Sequence, residues 1–110
     1  MEILKPENIL LNMSFASKEE AIEAAGNILL KEGYVSPKYV ELMQEREKVV
    51  STYVGNHVAV PHGINHSDSE IFYSGISVVQ VPQGVSFEDE EDEKVYLLFG
   101  IAGKNNTHIE

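Results

Sequence analysis

The chain has 110 residues, no cysteine, and 8 basic against 18 acidic residues for a formal charge of -10. One compact domain fits that length and two do not. Disulfides and thiolate chemistry are excluded, and the acidic balance argues against nucleic acid or an anionic membrane as the main partner. No apolar run is long enough to span a bilayer, and Met1–Pro6 lacks the basic start and apolar block of a signal peptide. A cytoplasmic protein with no direct membrane insertion, whose partner offers a basic docking face, is the expectation.

Ser17-Lys18-Glu19-Glu20 fits a capping box, and Ala21, Ile22, Ala25, Ile28 and Leu29 recur behind it at helical spacing up to a stop at Gly33. Ser36-Pro37 predicts a second helix, with Val40 and Met43 on its buried side and Arg46 near its C-terminal end, where the helix dipole favours a cation. Val58-Ala59-Val60 reads as a short strand that Pro61 terminates, and Ile71 to Val81 as a longer one. Pro82-Gln83-Gly84 predicts a turn and Val85-Ser86-Phe87 a brief edge strand. The run Glu88-Asp89-Glu90-Glu91-Asp92-Glu93 reads as a solvated loop, since it lacks the spaced ligands and internal glycine of a calcium site. Val95 to Ala102 is apolar enough to be a central strand covered on both faces. Asn105-Asn106-Thr107 predicts the cap of another helix, with His108 in its first turn. The class is mixed α/β, one domain over residues 1–110.

No nucleophile elbow surrounds any serine, and Gly100-Ile101-Ala102-Gly103-Lys104 is too short for a phosphate loop of the Walker kind. The histidines remain. His57, His62 and His66 have spacings that allow a zinc site with a nearby acid, yet they match no standard zinc arrangement. Exposed or capping roles are the plainer reading of His57 and His66. His62 has a more telling frame: Pro61 cannot extend a ladder, so the backbone is expected to leave the sheet there, and Gly63 permits close approach of a partner. That places an imidazole at the carboxyl end of a strand, open on one side. An ordinary turn histidine fits the same pattern, and the residues alone leave both readings open.

Three segments carry a resemblance: "EREKVVSTYVGNHVAVPHG" (45–63), "VPQGVSF" (81–87) and "GIAGKNNTHIE" (100–110), with "GYVSPKYVELM" (33–43) beside them. Together they resemble the mannitol/fructose-type enzyme IIA domain of the bacterial phosphoenolpyruvate-dependent sugar phosphotransferase system, nearest its mannitol-specific branch. The resemblance implies a mixed β-sheet flanked by helices on both faces and a phosphocarrier that needs neither cofactor nor metal. His62 then takes a phosphoryl group from the phosphohistidine of HPr and passes it to a cysteine of the IIB domain. Arg46 and His108 match family positions expected beside that imidazole, where they stabilise the phosphoryl group. Family members continue past the point where this chain stops, so a shortened form or a second covering chain is expected, and uncovered Leu97 or Phe99 would invite self-association. A regulatory relative that accepts phosphate without feeding a transporter, and a non-catalytic acidic binding module with structural or zinc-binding histidines, are the alternatives.

Overall fold

Ser17 opens the first helix as its sequence suggests. In the computed structural model, which describes residues 5–64, 68–87 and 94–103, helix α1 spans Lys18–Lys31. The Glu20 amide donates to the Ser17 hydroxyl at 3.3 Å, and the Glu20 carboxylate accepts from the Ala16 amide at 3.0 Å. Amides that the first turn cannot pair internally are thereby satisfied. The predicted stripe of Ala21, Ile22, Ala25, Ile28 and Leu29 is buried, and Gly33 ends the helix at φ 84°, in the left-handed region that glycine enters without strain.

Helix α2 spans Pro37–Val49, with Ser36 as its N-cap and proline in its first turn. Its buried positions are Tyr39, Val40, Met43 and Glu47. Three apolar residues and one acid on the same face is unusual, and the acid is used at the site described below. Gly26 of α1 lets the helices approach, since an added Cβ there would lie 3.0 Å from both Met43 and Val40.

Among the described residues the strands are β1 (Ile9–Leu10), β2 (Tyr53–Gly55), β3 (Val58–Ala59), β4 (Gly75–Ser86) and β5 (Lys94–Ala102). They form one mixed sheet in the order β1-β4-β5-β3-β2, with β5 at its centre as predicted. β4 and β5 are antiparallel, β1 joins β4 and β3 joins β5 in parallel, and β2 folds back antiparallel on β3. α1 lies on the face that carries Ser77, Val79, Leu98 and Gly100, all buried. The Ser77 hydroxyl donates to the Ala25 carbonyl at 2.8 Å, tying sheet to helix. The opposite face shows Ile76, Val78, Leu97 and Phe99, each half-buried.

Gly100 sits opposite Ser77, and a Cβ there would collide with the Ser77 hydroxyl and crowd Ala25. Gly100→Ala is therefore expected to lower stability by about 2 kcal/mol, as overpacking in a closed interface does. A urea titration checks this, and an unchanged midpoint would show that the helix can slide away.

Two local expectations are corrected. The segment 82–87 is not a turn followed by a separate strand. β4 continues through it to Ser86, with the register slipping between Gln80↔Leu97 and Val85↔Val95. Pro82 stands exposed inside that bulge, where a missing amide costs no ladder bond, and Gly84 takes φ 80°. The strand expected from Ile71 begins only at Gly75, and β2, which no expectation covered, is too short to show alternation. It closes a hairpin on β3 through Asn56 and His57, both at positive φ (55° and 65°), as a two-residue primed turn requires. The acidic run 88–93 and the helix expected from Asn105 lie outside the described residues.

Candidate functional site

His62 follows β3 after Val60 and Pro61, and β3 is clamped between β2 and the central strand. The backbone does not leave the sheet at Pro61 as the missing amide suggests. Proline keeps its carbonyl, and the Ile101 amide donates to it at 2.9 Å, extending contact with β5 to a bridge between His62 and Ile101. The ring is half-buried, and its Nδ1 lies 2.8 Å from the Val60 carbonyl. A carbonyl can only accept, so Nδ1 carries the proton and donates. The neutral ring is then left with its lone pair on Nε2, which has no backbone partner among the described residues. The ring is thus oriented by its own chain, two residues away.

What holds Val60 also comes from named side chains. The Val60 amide donates to the Thr52 carbonyl at 3.0 Å. Thr52, 3% exposed, gives its amide (2.9 Å) and hydroxyl (2.6 Å) to one oxygen of Glu47, and the other Glu47 oxygen meets the Lys18 ammonium at 3.3 Å. Lys18 also donates to the Phe87 carbonyl at 3.3 Å. On the other side of His62, the Gly63 amide donates to the Tyr39 hydroxyl at 2.9 Å, and that hydroxyl donates to the Ile101 carbonyl at 2.7 Å. The residues flanking the imidazole are thus fixed on both sides by buried groups from α2.

Arg46 sits in the last turn of α2, half-buried, and its guanidinium donates to the Val50 carbonyl at 2.5 Å. No hydrogen bond joins it to the His62 side chain. His57 is turned elsewhere, its Nδ1 2.8 Å from the Lys94 carbonyl and its ring 5.0 Å from that of Tyr96. His66 and His108 lie outside the described residues. Among the described residues no group of three His, Asp or Glu side chains could hold a metal ion.

Tyr39, Glu47 and Thr52 escaped the sequence reading. Glu47 had a legible signal: it falls four residues after Met43 and eight after Tyr39, in line with core positions. An acid on that line must be paired inside the protein.

The family model for the phosphoenolpyruvate-dependent sugar phosphotransferase system, EIIA 2, matches residues 2–110. The chain belongs to that family. The mannitol-specific phosphotransferase enzyme IIA component of Bacillus subtilis (strain 168) is 48% identical over 110 residues, covering 100% of this chain and 76% of the relative. Among solved structures, IIA mannitol from Escherichia coli superposes with a TM-score of 0.89 at 47% identity, over 94% of this chain and 73% of that one. The Escherichia coli IIA in complex with phosphorylated mannitol enzyme IIB gives 0.91 at 46% identity, over 96% and 73%. The EIIA 2 chain is thus a phosphotransferase component of the sugar phosphotransferase system with the fold of mannitol IIA proteins. Its helices include none, among the described residues, long and apolar enough to cross a membrane.

Proposed function

We propose that this EIIA 2 chain is the mannitol phosphocarrier of a cytoplasmic relay, accepting a phosphoryl group on His62 from phospho-HPr and delivering it to the cysteine of a mannitol IIB domain. The observation that carries the reading is the Nδ1 hydrogen bond to the Val60 carbonyl, which leaves Nε2 as the available nucleophile. The Nε2 lone pair forms the new N–P bond as the donor's N–P bond breaks, and that bond's electron pair stays on the donor nitrogen. The donor ring departs as neutral imidazole. The positive charge it loses passes to the His62 ring, whose Nδ1 keeps its proton and donates it in a hydrogen bond to the Val60 carbonyl, which stabilises that charge. Transfer onward to a thiolate reverses these steps and restores the neutral ring. Similarity to mannitol-specific relatives supports the choice of sugar, and the phosphorylated IIB partner of the Escherichia coli neighbour supports the choice of acceptor.

Phosphoryl transfer depends on positioning and on compensating charge spread over three equatorial oxygens. In a chain of charge -10 that compensation has to be local. Arg46 supplies it from the end of α2, with His108 as its partner. The acidic excess steers a basic-faced donor toward the site. Arg46→Ala and His108→Ala are expected to slow transfer roughly 100-fold, the scale set by losing one group that stabilises transition-state charge, with far-ultraviolet circular dichroism unchanged. A variant with the wild-type rate would remove that residue from the mechanism.

The test of the whole reading is reconstitution with phosphoenolpyruvate, enzyme I and HPr, followed by mannitol IIB. One acid-labile, alkali-stable adduct that moves on to the IIB cysteine is expected. An adduct that forms but never reaches IIB would assign the chain to a regulatory role, and no adduct on the folded protein would refute the phosphocarrier.

A further inference from the structure

A parallel bridge such as that between His62 and Ile101 is made of two slanted backbone bonds, one into each side of the bridging residue. The first is present, from the Ile101 amide to the Pro61 carbonyl at 2.9 Å. Beside the second, which pairs the Gly63 amide with the Ile101 carbonyl less closely than the first, a side chain has entered the ladder. The Gly63 amide donates to the Tyr39 hydroxyl, and the hydroxyl donates to the Ile101 carbonyl. Tyr39 itself is 2% exposed, held by the first turn of α2. The phenol therefore works as a spacer that keeps the chain after His62 from closing fully on the central strand.

We infer that Tyr39 is a positioning residue for His62: its hydroxyl, wedged between Gly63 and Ile101, sets the backbone from which the ring aims Nε2. The inference rests on the phosphocarrier reading of His62. The ring is held by Nδ1 on the Val60 carbonyl, and the backbone that carries it by the Gly63 amide on Tyr39. Removing the hydroxyl leaves that amide and the Ile101 carbonyl either loosely paired or free to close on each other. Closure draws residue 63 toward β5 and rotates the preceding Cα–Cβ bond. Burial raises the Tyr39 phenol above its ordinary value of 10.0, against the lowering effect of the Gly63 amide and with a smaller raising effect from Asp68. The hydroxyl thus keeps the proton it donates throughout the neutral range.

Tyr39→Phe in the full chain tests this by two readouts, phosphorylation kinetics with phospho-HPr and the His62 ring ¹⁵N signals of the unphosphorylated protein. A fall in kcat of about 10- to 100-fold is expected, the scale of a misplaced reacting group, with KM for phospho-HPr unchanged. The His62 ring signals should depart from the wild-type Nδ1–H pattern while those of His57 stay in place. Wild-type kcat together with wild-type His62 signals would overturn the inference, as would a rise in KM alone. If the wild-type protein takes no phosphate, the phosphocarrier reading fails, and the ring signals still decide whether Tyr39 positions His62. Should Tyr39→Phe fail to fold, amide exchange on the wild-type protein decides instead: a protected Gly63 amide supports the wedge and a freely exchanging one contradicts it.

Discussion

His62→Ala is expected to abolish the phosphoryl adduct while leaving the protein folded. Among the described residues the ring contributes one hydrogen bond, to Val60, whereas the segment around it is held by backbone and by α2. Losing that half-buried bond costs about 1 kcal/mol, too little to unfold a domain built on α1 and a continuous sheet. Every proposed chemical step, by contrast, passes through Nε2. Incubation with labelled phosphoenolpyruvate, enzyme I and HPr should leave the variant unlabelled at a melting temperature close to the wild type. His57→Ala, run beside it, should label fully, because that imidazole is committed to the Lys94 carbonyl and the Tyr96 ring. Label on His62→Ala would move the acceptor to another side chain.

The second large effect belongs to Glu47. Glu47→Ala removes the acceptor for the buried Thr52 amide and hydroxyl and leaves the Lys18 ammonium without its carboxylate. Lys18 is 28% exposed and recovers water, so its ion pair counts for little. The two Thr52 bonds are the larger loss, since their donors stay buried with no solvent to replace the carboxylate. A destabilisation of about 3 kcal/mol follows from bonds to a charged acceptor, read from urea unfolding. Glu47→Gln keeps an oxygen in the same place and should cost about 1 kcal/mol. A Glu47→Ala midpoint within about 0.5 kcal/mol of wild type, the range of an ordinary surface change, would show that Thr52 finds another partner. The Thr52 carbonyl also holds Val60, so the same substitution should blur the geometry at His62.

Much of this was open to reading from the residues. Both helices were legible because their caps and apolar spacing agree: Ser17 with Glu20 at one end and Gly33 at the other leave α1 little freedom. β5 was legible as the central strand from its eight apolar or small residues in succession, although among the described residues the face opposite α1 leaves Leu97 and Phe99 half-buried, not covered as expected. β4 was misread where Pro82 and Gly84 speak the chemistry of a turn. The same two residues serve a bulge, and local sequence does not say whether the chain beyond them reverses or resumes its ladder. The site was legible only in part. Pro61-His62-Gly63 marks an aimed histidine, but the partner of Nδ1 is a carbonyl, and a carbonyl has no sequence signature. Tyr39 and Glu47 reach the site across 23 and 15 residues of chain, distances that only the packing of α2 brings together.

The most direct measurement is the ring nitrogen chemistry of position 62, followed by long-range ¹H–¹⁵N correlation through phosphorylation. Before phosphate arrives, the proton should sit on Nδ1 and the lone pair on Nε2; afterwards, phosphorus should be bonded to Nε2 with Nδ1 still protonated. A free ring protonated on Nε2, or phosphorus found on Nδ1, would contradict the placement of this imidazole outright.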